Sequence, residues 1–300
     1  MPETTDTGLP GAPTPQAVGE FYDANNRVIT EIYGGNMHYG YWLGPDDTSD
    51  FATAGDRLTD LLISRLRAGP GDEVLDLGCG TGGPGVRLAK ASGARVTGVS
   101  ISAGDVALAG ARAEAEDLSG QVRFELADAM DLPYRDASFD AVLAFESIVH
   151  LPDRGAALAE IARVLRPGGR LVLTDLVERG PAEEDEHKRR AVAEMLAVWR
   201  AAPMTRAEAY PGLADAAGLV IDEITDITEH TKYTAAHIYA GTRDHLLRYG
   251  ELPPDLARIH AMGAHVDWAE FTAAEQSDGM IIVVAHRPHA HGSGSDFRRA

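Results

Sequence analysis

Five acidic or hydroxylated side chains and one histidine follow directly on short apolar runs, and these are the residues with which the chain could do chemistry. Asp76 follows Val74-Leu75, Ser100 ends Val96 to Val99, and Asp128 follows Val122 to Leu126. Glu146 and His150 follow Phe139 to Phe145, and Asp175 ends Leu171 to Thr174. A neutral imidazole can take a proton near pH 7, which is what a hydroxyl needs before it becomes a good nucleophile. His150 is therefore the candidate base, and Asp175 the candidate that orients its ring or binds a neighbouring substrate hydroxyl. Any one of these residues could simply end a strand or cap a helix; five in succession argue for a shared crevice.

Asp76 opens Asp76-Leu77-Gly78-Cys79-Gly80-Thr81-Gly82-Gly83, in which closely spaced glycines lead into the amphipathic Val86-Arg87-Leu88-Ala89-Lys90. Strand, tight turn and helix N-terminus in that order let the backbone approach a ligand closely and aim unpaired N–H groups at it. Gly78, Gly80 and Gly83 satisfy the G-x-G-x-x-G spacing of dinucleotide folds, while Asp76, Gly78, Gly80 and Gly82 satisfy D-x-G-x-G-x-G. The glycines alone do not decide. Asp76 would repel a pyrophosphate but could accept from a ligand's ammonium group. Cys79, the only cysteine, allows no intramolecular disulfide and no thiolate cluster, and a small inert side chain is its simplest role.

Positioning these residues requires strands that alternate with helices. Helical spacing predicts helices from Thr14-Pro15 to about Ile32 and from Asp50 to Arg67, then Asp105 to Leu118 and Arg154 to Leu165, the last stopped by Pro167-Gly168-Gly169. Strands are expected at Val74 to Leu77, Arg95 to Ser100, Val122 to Leu126, Phe139 to Phe145, Leu171 to Leu176, Leu219 to Thr228 and Met280 to Ala285. Such β/α alternation implies parallel strands with right-handed crossovers and a ligand beyond their carboxyl ends. The aromatic, glycine-broken stretch Tyr33 to Trp42 is either a plug or a lid. Helices from Glu183 towards Trp199, Tyr233 to Tyr249 and Pro254 to Met262 interrupt the core.

Hydrophobic residues make up 44% and charged residues 24% of the 300-residue chain, as in a globular protein. A formal charge of −19 disfavours nucleic acid as a partner. No run is long enough to span a membrane and no secretory leader opens the chain, so a cytoplasmic home without membrane association is expected. His260 and His265 are five apart, and His237 and His245 have no acidic partner at ligand spacing, so no metal site is expected.

Val74 to Gly82, Val96 to Ser102, Ala127 to Pro133, Ser138 to Val142 and Leu165 to Gly169 together resemble class I S-adenosylmethionine (SAM) methyltransferases. Met37 to Trp42, Glu146 to Asp153 and Thr174-Asp175 are similar more narrowly to actinobacterial natural-product O-methyltransferases of the rebeccamycin sugar and macrolide-sugar kind. The resemblance covers roughly residues 15–180. It implies an α/β, Rossmann-like fold: a mostly parallel seven-stranded sheet with N-terminal helices and a helical cap. In that layout 1–13 and 289–300 are disordered tails, 14–70 a helical lid, 71–180 the SAM-binding core, and 181–288 the rest of the sheet with a substrate cap. It also implies that Asp76, Gly78, Cys79 and Gly80 line the methionine end of SAM, with His38 over its carboxylate. Asp128 and Ala129 would meet the adenine, and Ile101 and Phe145 would complete the cofactor wall. Many relatives hold the ribose with an acid directly after the second strand; Ser100 stands there, and Asp105 takes the ribose diol instead.

The expected reaction is in-line transfer of a methyl group from SAM to a hydroxyl of a bulky glycoside or polyketide, leaving S-adenosylhomocysteine (SAH), with His150 as base. Methylation at carbon or nitrogen on the same fold, or a SAM-binding fold recruited for cyclisation, are the alternatives; a nicotinamide oxidoreductase is disfavoured by Asp76. Met195, Trp199, Tyr233, Tyr239 and Trp268 are the cap residues expected to meet the acceptor or to form a homodimer surface.

Overall fold

The computed structural model describes residues 11–34, 37–180 and 186–289. Most of both expected tails, and the start of the charged segment after Gly180, lie outside these residues.

Two helices precede the sheet. In α1, Pro15–Tyr33, the Thr14 side chain accepts from Ala17 N; in α2, Phe51–Leu66, Asp50 does the same for Thr53 N. The β/α core follows as β1 Glu73–Leu77, α3 Gly83–Ser92, β2 Arg95–Ser100, α4 Ala103–Ala115, β3 Val122–Leu126, β4 Phe139–Ala144, α5 Arg154–Val164 and β5 Leu165–Glu178. Beyond it lie α6 Glu186–Val198, β6 Thr205–Arg206, α7 Tyr210–Ala216, β7 Val220–Asp226, α8 Thr228–Thr231, α9 Thr234–Tyr249, α10 Pro254–Gly263, α11 Trp268–Ala273 and β8 Asp278–His286.

The sheet runs β3-β2-β1-β4-β5-β8-β7, with the two-residue β6 pairing the end of β5. β8 is antiparallel to both its neighbours and the remaining pairs are parallel. Strand order reverses between β1 and β4, which creates the crevice. Apolar side chains on both faces of the central strands explain their unbroken Val, Leu and Ile runs. One face packs on α5 and α7 through Leu75, Leu77, Val142 and Leu173, the other on α2 and α3 through Val74, Leu143 and Val172.

Four departures from the sequence reading have local causes. Pro167-Gly168-Gly169 does not separate α5 from a later strand; β5 begins at Leu165, and the register against β4 slips between Phe139 and Ala141. Gly168 at φ 84° takes up the extra length, so the glycines make a bulge within the strand. β7 ends at Asp226, and Thr228–Thr231 turns helical instead of continuing it. Short α7 and α11 carry no periodic signature, because six or seven residues hold too few turns to show a face. β6 is shorter still.

Candidate functional site

A cavity of about 540 Å³ opens beyond the carboxyl ends of β1, β2 and β4 and runs under α1, α6, α9, α10 and α11. His38, Gly78, Gly80, Ser100, Ile101, Asp105, Asp128, Ala129, Phe145 and His150 all line it, so these widely separated residues do share one space. The described part of the stretch Tyr33 to Trp42 divides between core and cavity. Trp42 is buried among Tyr33, Phe51 and Tyr233, whereas Met37, His38 and Tyr39 face the cavity.

The turn after β1 needs its glycines for two reasons. Gly78 has φ 75°, and a Cβ there would lie 2.3 Å from Cβ of Ser147. Around this turn three buried polar atoms lack hydrogen-bond partners: Asp76 Oδ2, His38 Nδ1 and Ser147 Oγ. The His38 ring stacks on Phe145 with centroids 4.1 Å apart. Glu146, at a left-handed φ of 51°, accepts from Tyr39 N at 2.7 Å and so fastens the aromatic loop to the end of β4. Burial pushes the Asp76 carboxyl up to about 7, against the pull of His38.

At the other end of the same wall, Asp105 is buried at the start of α4. Its carboxylate accepts from Ser100 Oγ at 3.2 Å and from Asn26 Nδ2 at 3.4 Å, and burial pushes its pKa up to about 6. One oxygen of Asp128 accepts from Met130 N at 2.9 Å, which stiffens the loop after β3.

His150 ends a 3₁₀ turn, Ile148–His150. Its Nδ1 lies 2.8 Å from the carbonyl oxygen of Arg200, and its Nε2 lies 2.9 Å from the Tyr22 hydroxyl. A carbonyl can only accept, so Nδ1 carries the hydrogen, and the Nε2 lone pair accepts from the tyrosine. Burial lowers the pKa of His150 and the bond to Arg200 opposes this, so the ring is neutral at pH 7.

Three expected site residues lie elsewhere. Asp175 does not orient His150. It is fully buried, held by two bonds from Arg154 at 2.5 and 3.1 Å and one from Tyr210 Oη at 2.6 Å. Strand alternation explains the correction: Leu176 faces the cavity, so Asp175 faces α5 and α7. The Cys79 side chain packs behind the turn, where a Cβ on Gly98 would meet it at 2.8 Å, and burial raises its pKa. Asp76 sits beneath the turn, its Oδ2 2.8 Å from where a Gly85 Cβ would be, and is absent from the cavity wall. Of the cap residues, Met195, Trp199, Tyr239 and Trp268 line the cavity; Tyr233 packs against Trp42 instead.

Sequence reasoning passed over Tyr22, Asn26 and Arg200. A signal for the first two existed: Tyr22, Asn25 and Asn26 fall at i, i+3 and i+4 on an otherwise apolar helix face, where buried polar groups need a purpose. Arg200 acts through its backbone, which side-chain identity does not reveal.

The donor set fits SAM. His38 Nδ1 and Ser147 Oγ, both without a hydrogen bond and both on cavity-lining residues, suit an amino-acid end bearing ammonium and carboxylate, and Asp105 offers a carboxylate to a diol. Among the described residues, no group of three or more His, Cys, Asp or Glu could hold a metal ion, and no helix is long and apolar enough to cross a membrane.

Comparison with known proteins agrees. Residues 75–173 match the family described as a methyltransferase domain. The chain is 37% identical over 271 residues to methyltransferase GfsG of Streptomyces halstedii, covering 90% of this chain and 94% of that one. It is 38% identical over 284 residues to the 27-O-demethylrifamycin SV methyltransferase of Amycolatopsis mediterranei, covering 92% and 98%. Among solved structures, the [4+2]-cyclase SpnF superposes with a TM-score of 0.78 at 32% identity, covering 94% of this chain and 99% of that one. With the glycine turn, the strand order and the shared cavity, these similarities establish that the chain belongs to the class I SAM-dependent methyltransferases.

Proposed function

We propose that the protein transfers a methyl group from SAM to a hydroxyl of a bulky, largely apolar natural product, a glycoside, macrolide or other polyketide, with His150 as general base. The observation that carries this reading is the orientation of His150: its Nδ1–H is committed to the Arg200 carbonyl, leaving the Nε2 lone pair beside Tyr22 in the cavity wall. SAM supplies an electrophilic methyl. The chain's own part is to align the acceptor oxygen, exclude water and take the hydroxyl proton at Nε2. Tyr22, whose pKa is raised by burial, stays protonated and holds Nε2 in place until an acceptor hydroxyl replaces it. Met195, Trp199, Tyr239 and Trp268 supply apolar surface for the acceptor body. The name of the rifamycin relative, an O-methyltransferase, supports oxygen as the methyl acceptor.

A panel of hydroxylated macrolides, ansamycins and glycosides incubated with SAM, with SAH and methylated product quantified, tests this reading. On the acceptor found, His150→Ala should lower turnover by ~10²–10⁴-fold while SAM binding is retained. Unchanged turnover would sink the base assignment.

The similarity to SpnF favours a second reading, cyclisation in the same cavity with SAM bound but not consumed. Product formed without stoichiometric SAH would select it.

A further inference from the structure

The geometry points to Arg200 and Asp255 as positioning residues that fix the tautomer of His150 by holding the Arg200 carbonyl against Nδ1. The inference rests on the reading of His150 as the base. It begins from a conformational oddity. Helix α6 ends in a turn whose left-handed position is occupied by Arg200 at φ 54°, where glycine would avoid the Cβ penalty. The closing bond of that turn, Ala201 N to Leu196 O at 2.8 Å, is made in spite of it.

The side chain explains why an arginine is kept there. Its guanidinium donates to Ala197 O at 2.8 Å, to Val198 O at 3.1 Å and, across to α10, to Asp255 Oδ1 at 3.1 Å. The group lies over the Phe21 ring of α1, 5.5 Å from its centroid. The other oxygen of Asp255 accepts from Asn25 of α1 at 3.4 Å. Arg200 is thus gripped from three helices, and its carbonyl direction is set by that grip.

The turn is also tied to the base by two points. Ala202 N donates to Val149 O at 2.7 Å, and His150 Nδ1–H donates to Arg200 O at 2.8 Å. The carboxylate near the histidine does not do this work: Asp175 is taken up by Arg154 and Tyr210. A carboxylate partner would raise the proton affinity of the ring and favour the imidazolium, whereas a carbonyl fixes the tautomer and adds no charge. The arrangement therefore orients a weakly basic, neutral ring.

Imidazole ¹⁵N NMR of the full-length protein tests this without knowledge of the acceptor, with the His150 signals assigned by their loss in His150→Gln. The native protein should show one neutral tautomer, protonated at Nδ1 and bare at Nε2. Arg200→Gly keeps the left-handed turn and removes the anchor; Asp255→Ala removes its partner. Both should lose the single-tautomer pattern and give a mixture, while SAH affinity by calorimetry stays within about twofold of native. Asp255→Asn, which retains an acceptor for the guanidinium, should restore the single tautomer. An unchanged Nδ1–H pattern in Arg200→Gly and Asp255→Ala would overturn the proposal, and so would a parallel collapse of SAH affinity, which marks a general loss of structure. If Arg200→Gly does not fold, the Asp255 pair decides alone. Should His150→Ala turn over normally, the base reading fails while the tautomer result stands.

Discussion

Two buried carboxylates give the site a dependence on pH that can be measured before any acceptor is known. Asp76 and Asp105 are held near 7 and 6, well above the ordinary aspartate value, because burial penalises their charged forms. A raised acid binds its proton more tightly in the folded state. The stability it contributes is therefore complete below the unfolded value near pH 4 and is lost as pH rises through 6 and then 7. The ligand-free protein should lose melting temperature between pH 5 and 8, and Asp76→Asn, which has nothing to ionise there, should flatten most of that slope. The stability lost once Asp76 is fully ionised is on the order of 4 kcal/mol. A slope identical in wild type and Asp76→Asn would contradict this account.

Elements carried most of what the sequence could say. The β/α alternation, the helix starts at Thr14-Pro15 and Asp50 and the strand ends at Ser100 and Leu126 were legible because apolar runs of five or six residues bounded by turn chemistry leave few options. Which face of a strand meets the cavity was not legible where both faces are buried. Leu171 to Leu176 reads the same from either side, and this is why the sequence points Asp175 at the histidine or a substrate hydroxyl when it belongs to α5 and α7. The misplaced residue still matters, but to stability. Asp175→Ala leaves the Arg154 guanidinium, only 9% exposed, without its partner, and should cost about 3–5 kcal/mol in urea unfolding. Asp175→Asn should cost less, since an acceptor remains. SAH affinity should change little in either, because Asp175 lies outside the cavity wall. Tyr22, by contrast, was legible in principle through its polar neighbours Asn25 and Asn26 on the same helix face, whereas Arg200 meets His150 through its carbonyl, which side-chain identity does not reveal.

For the molecule as a whole, a formal charge of −19 means that the folded state brings like charges together, and counter-ions should relieve them. Melting temperature should rise as sodium chloride increases from a few millimolar to about the physiological 0.15 M; a fall would show that the surface pairs, such as Arg87 with Asp56 and Asp60, outweigh the repulsion. The sheet order has a consequence in time as well as in space. β8 lies between β5 and β7 and is the last of these strands to be made. On the ribosome, β1 to β4 can pair and shape the glycine turn early, but β5 keeps a bare edge and β7 has no neighbour until residues 278–286 emerge. During that interval the nascent chain presents an open apolar strand to every other chain in translation, so yield in the cell should respond to elongation speed and to chaperones that shield such edges.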